Sequence, residues 1–221
     1  MFSKSFTGYY FTAISTILFV LSVLAFSDNL FTDIGQESNR DPKFIVHGLF
    51  MFAWYGTFIA QSYFILRKKI DRHIWWGKFG FYIAIGVAIS TLWVFIAVFK
   101  GWAAMEPFVK VNRLFMLSFT IFLILAYRYR NNAAYHKRCI FWAIVLPIEP
   151  IMGRVSDLLL VNNWGLFYFL VWHAFFVSFL VYDWLALRRI HEVSIVALAW
   201  FYFSWAFALM SSLSESGFSG L

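Results

Sequence analysis

The stretch RKKIDRHIWWGKFG, residues 67–80, sets Arg67, Lys68, Lys69, Arg72, His73 and Lys78 between two long apolar runs. Bases beside a Trp-Trp pair mark the place where a chain leaves a hydrocarbon layer and turns back, because cations stay in water while indoles sit at the head-group level. Composition supports that reading. The chain of 221 residues is 62% hydrophobic and only 13% charged, too few charges to cover a water-soluble surface. Its mean hydropathy is +0.73. Apolar stretches near the length that crosses a bilayer recur throughout.

Seven spans are predicted, at residues 8–26, 44–66, 79–99, 111–127, 139–161, 164–187 and 193–213. Ala25-Phe26-Ser27 would pass as a signal-peptide cleavage site, but the apolar run before it is long for a signal and reads as a span. Lys4, the five bases of the opening stretch, then Arg128, Arg130, Lys137 and Arg138, and finally Arg188 and Arg189 all fall on one side. The longest opposite loop carries Asp28, Asp33, Glu37 and Asp41. This bias places the amino terminus in the cytoplasm and the carboxyl terminus outside. The expectation is an all-α, polytopic, seven-helix bundle forming a single transmembrane domain over residues 1–221. The net charge of +7 lies in short clusters between apolar runs, which suits membrane orientation and not nucleic acid. The single cysteine, Cys139, excludes an intramolecular disulfide and any cysteine-based metal cluster.

The three connections on the basic side each hold one histidine: RKKIDRH with His73, RYRNNAAYHKR with His136, and RRIHE with His191. Three neutral imidazoles at one level could converge on a divalent metal, with Asp183 as a fourth ligand or as the carboxylate that orients a ring. The competing reading makes them interfacial anchors, and it is the stronger, because no H-x-x-x-H pair fixes two ligands on one helix. His47, Gln61, Arg67, His73 and Gly77, with RHIWWGKFG, resemble a pattern in bacterial multi-pass membrane proteins of unknown function. AAYHKR and YDWLALRRIH are similar to such proteins too, although Ile74 stands where the pattern often has Arg. The resemblance covers mainly residues 44–80 and implies a cell-membrane location, the bacterial inner membrane, with no activity attached.

Ionisable residues inside spans are more informative, since each costs several kcal/mol unless paired or hydrated. Counted inward from the basic anchors at 1.5 Å per residue, Arg113, Arg154 and His173 reach about 22–24 Å, a shared level in the outer third. Asp157 lies close enough to Arg154 to pair with it on one helix face. Glu149 sits near mid-depth in VLPIEPIMGR, where Pro147 and Pro150 remove backbone donors and should break the helix. Arg113, Glu149, Arg154, Asp157 and His173 together suggest an outward-facing polar pocket for a small polar or anionic ligand. Gln61 follows His47 by two heptads with Trp54 between, a stripe more typical of helix packing than of a cofactor face. Haem ligation by His47 and His173 requires matching depths that the count separates by about 8 Å. No lysine occurs in the seventh span, VSIVALAWFYFSWAFALMSSL, so it offers no retinal Schiff-base nucleophile.

Three function classes follow. One is small-molecule binding or transport through the polar pocket. Another is a metal- or haem-dependent membrane enzyme or electron carrier. The third is a structural or accessory membrane subunit. In each the bilayer itself is a partner.

Overall fold

The computed structural model describes residues 4–218, and the described residues contain helices and turns but no strand. Eight α-helices run in order: α1 Lys4–Ala25, α2 Pro42–Leu66, α3 Ile70–Ala97, α4 Pro107–Arg128, α5 Ala133–Val145, α6 Glu149–Leu158, α7 Trp164–Leu187 and α8 Glu192–Phe218. Six are long and apolar enough to cross a membrane, and α5 with α6 makes a seventh span if that bent pair counts as one. The chain is therefore an all-helical, multi-pass membrane protein. It divides into two compact units, Met1–Val94 with Ile151–Leu170, and Phe95–Pro150 with Val171–Leu221.

Local chemistry explains where the helices begin and end. Asp41 caps α2 by accepting from the Lys43 N–H, and Pro42 fills the first turn, where a missing N–H costs nothing. Asn132 caps α5 through its side-chain oxygen, which accepts from Ala134 and Tyr135. At the end of α2, Lys69 N–H donates to the Phe64 carbonyl and Lys68 N–H to the Ile65 carbonyl. This Schellman arrangement holds Lys68 at φ 57°, and it reverses the chain within three residues. The bases there face the negative end of the α2 dipole, and Asp71 faces the positive start of α3.

The opening stretch is thus mostly helix. The third span was expected from residue 79, yet α3 starts at Ile70. Arg67, Lys68 and Lys69 form the exposed turn and Arg72 and Lys78 sit on exposed positions of α3, while His73 and Gly77 are partly covered and Gly80 is buried.

In the first unit α1 packs along α2. Phe11, Ile14, Ser15, Leu18, Ser22 and Ala25 form its buried face at helical spacing. The hydroxyls of Ser15 and Ser22 donate to the carbonyls of Thr12 and Leu18, so they enter an apolar face already satisfied. Gly8 permits the close approach: a Cβ there would stand 2.8 Å from Leu66 Cα. The second unit has an aromatic centre. Phe141 stacks on Phe179 at 3.7 Å between ring centres, Phe115 stacks on Phe201 at 5.5 Å, and Trp172 lies edge-on to both Phe115 and Phe201.

Candidate functional site

Two fully enclosed charges of opposite sign belong to α5 and α7. Arg138 and Asp183 meet at 2.6 Å between Nη2 and Oδ1, and neither side chain is exposed at all. Arg138 Nη1 donates to the Ala134 carbonyl one turn earlier on its own helix. Asp183 Oδ2 accepts from the His191 backbone N–H at 3.1 Å and from the Ser194 hydroxyl at 2.8 Å. Ser194 in turn accepts from Trp142 Nε1. One carboxylate thereby ties the end of α7 to the start of α8 and neutralises a cation from α5. Arg138 Nε is buried with no hydrogen-bond partner among the described residues.

His191 closes this node as a helix cap. Its carbonyl accepts from Ser194 and Ile195, and its ring Nδ1 accepts from the Val193 N–H at 3.2 Å. That bond uses the Nδ1 lone pair, so the proton of the neutral ring belongs on Nε2. Burial and the Arg138 charge hold its pKa below the ordinary histidine value, against the opposing pull of Asp183. His136 Nδ1 lies 2.9 Å from the Ala126 carbonyl. His73 is engaged from α2: with the Gln61 amide nitrogen turned toward it, Gln61 donates to the His73 carbonyl and Nδ1 and accepts from the Gly77 N–H. Asp183 orients a histidine backbone and not its ring. Among the described residues no group of three or more His, Cys, Asp or Glu is gathered as a metal ion would require.

The residues expected around an outer pocket have individual surroundings. In the first unit, Arg154 Nη1 donates to both Asp28 carboxylate oxygens, at 3.3 and 3.2 Å, and to Asn29 Oδ1 at 3.0 Å. Its guanidinium also lies over the Phe26 ring. Slight burial raises the Asp28 pKa, but the Asn29 N–H, the Arg154 charge and the Gln36 side chain outweigh it and hold the carboxyl below its usual range. Asn29 bonds onward to Ser38 and Asn39, which organises the long acidic loop. Asp157 is exposed beyond this cluster, and its carbonyl accepts from Leu160 in the turn that ends α6.

In the second unit, Arg113 Nη2 donates to the Phe95 carbonyl and Nε to Met105 Sδ, with the Phe95 and Phe99 rings beneath the cation. His173 Nε2 lies 2.8 Å from the Tyr202 hydroxyl. Lys110, which the sequence did not single out, is completely buried and donates to Ser212 at 3.0 Å beside Trp102.

Glu149 is buried and begins α6, where its charge complements the helix dipole. As the two prolines predict, regular helix stops at Val145 and resumes at Glu149, with a 45° bend. The break frees the Val145 carbonyl, and Trp172 Nε1 donates to it at 3.2 Å. An indole, not a solvated cavity, supplies that partner.

The His47–Trp54–Gln61 stripe packs as the heptad spacing predicts. His47 Nδ1 lies 3.3 Å from the Ser90 hydroxyl and 3.4 Å from that of Thr91, both on α3. A Cβ at Gly86 would fall 2.2 Å from the Phe50 ring, and one at Gly80 would fall 2.7 Å from Thr57 Cγ2. Glycines on α3 thus receive the bulky residues of α2, and polar pairs fix the two ends of the seam.

Compared with protein-family models, curated proteins and solved structures, the chain matches none of them.

Proposed function

We propose that this chain is a small-molecule binding or transport protein of a bacterial cell membrane, its amino terminus cytoplasmic, working around the broken α5–α6 span. The observation that carries the reading is the buried carboxylate of Glu149 at the point where the span bends by 45°. Interrupted spans with polar groups at mid-depth are where transporters hold their substrates, since irregular backbone supplies donors and acceptors that a continuous helix cannot. Arg113 and His173, which lie with Glu149 in the second unit, are the further groups proposed to meet a polar or anionic ligand from the outer side. A structural or accessory role is the competing reading. It is favoured by the local partners that Arg113, Arg154 and His173 already have.

A thermal-shift screen of the detergent-purified protein against small carboxylates, phosphates and zwitterions separates the two. A ligand at about 100 times its Kd adds about 2.7 kcal/mol to wild-type stability. Glu149→Gln should abolish that gain while membrane insertion persists. If no compound stabilises the wild type and Glu149→Gln merely lowers its melting temperature, the accessory reading stands and the binding reading falls.

A further inference from the structure

The outward side of the first turns of α3 has a chemistry that neither helix packing nor the broken span uses. Gln61 engages His73 and Gly77, and Thr57 meets Gly80, so this edge of α3 is turned to α2. At about 100° per residue, Arg72, Trp75, Trp76 and Phe79 then share a neighbouring arc about 100° wide, its centre turned about 120° from that edge. All four are exposed, and Trp75 and Trp76 keep 53% and 49% of their surface open. Their rings form one cluster: Trp75 lies 4.9 Å from Trp76 and 4.8 Å from Phe79 between centres. An open indentation here is lined by Asp71, Arg72, Trp75 and Trp76.

We propose that this indentation seats the headgroup of an anionic phospholipid. Arg72 meets the phosphate, and Trp75 and Trp76 flank the glycerol and upper acyl region. Three observations choose this occupant. Indoles prefer the depth where headgroup and chain join, with an apolar ring face and one N–H donor. Exposed Arg67, Lys68, Lys69, Arg72 and Lys78 stand against the single acid Asp71 within residues 67–80, an excess that attracts negative and not neutral lipid. The planar guanidinium of Arg72 suits two phosphate oxygens at once. Asp71 on the rim could instead take the ammonium of a zwitterionic headgroup, which makes that lipid the informative competitor.

The whole protein, in nonionic detergent, is titrated with brominated phosphatidylglycerol, phosphatidylethanolamine or phosphatidylcholine while tryptophan fluorescence is followed. The chain has 11 Trp, so a Trp75→Phe/Trp76→Phe variant isolates the site by difference. Brominated phosphatidylglycerol should quench at the lowest mole fraction, and its advantage should vanish in that variant. Arg72→Gln, at an exposed position, should raise the half-quenching mole fraction about fivefold, the effect of about one basic charge at a membrane surface. Equal curves for the three lipids would overturn the proposal, as would a preference for phosphatidylethanolamine. So would a phosphatidylglycerol preference that survives Arg72→Gln. Should the double Trp variant fail to fold, the count of phosphatidylglycerol adducts on wild type and Arg72→Gln by native mass spectrometry decides alone.

Discussion

Two arginine–aspartate pairs in this chain share a chemistry and differ in almost everything else. Arg138 and Asp183 are wholly enclosed at 2.6 Å, whereas Arg154 and Asp28 meet at 3.2 Å with side chains 37% and 47% exposed. Burial makes the first pair interdependent. Each ion there has lost its water, so the other must replace it, with the Ala134 carbonyl, the His191 N–H and the Ser194 hydroxyl satisfying part of what remains. The second pair keeps much of its hydration and gains a modest, screened attraction. Its value lies in orienting a loop, through Asn29, more than in holding helices.

Removing one partner should therefore give unequal results. Asp183→Asn leaves Arg138 charged and enclosed without a counter-ion, and should cost about 3–5 kcal/mol in unfolding experiments on the purified protein. Loss of less than about 1 kcal/mol would show that water reaches the pair. Arg154→Gln should cost about 1 kcal/mol or less, and that difference should shrink further in about 1 M salt.

Acid should erase it too. Because the folded Asp28 pKa lies below its unfolded value, the pair stabilises above the unfolded value, about 3.9, and the gain is lost as pH falls through the folded value. Melting curves of wild type and Arg154→Gln should thus converge from neutral pH toward strongly acid pH. A gap that widens with acid would reverse the assignment of Arg154 as the partner that matters.

The contrast also shows what sequence can disclose. Spans were legible because apolar length is a one-dimensional property, and the bend was legible because Pro147 and Pro150 act on their own turns. Gln61 and His47 were readable as a packing stripe by heptad spacing, which the α2–α3 contacts bear out. Arg138 was not readable. It follows Lys137 in a run of bases and looks like another anchor, yet neighbouring positions on a helix point about 100° apart. Lys137 sits over the Tyr182 ring while Arg138 turns inside. The usable signal was Asp183, an acid within a span that required a cation, though it did not say which one. Lys110 had no such signal, because its acceptor Ser212 is far along the chain and common in helices. Depth counted along separate helices gave Arg113, Arg154 and His173 one level. It carries no azimuth, and their partners are set by azimuth.

Double-mutant cycles on the two pairs, run side by side in one detergent, test the central claim most directly. The single variants Arg138→Met and Asp183→Leu and their combination give one coupling energy. Arg154→Gln and Asp28→Asn with their combination give the other. Burial as the deciding variable predicts a coupling of several kcal/mol for the enclosed pair, with the Arg138→Met/Asp183→Leu double variant recovering most of the stability that either single change loses. It predicts about 1 kcal/mol or less for the exposed pair. Equal couplings, or a double variant at Arg138 and Asp183 as unstable as the sum of its single changes, would contradict it.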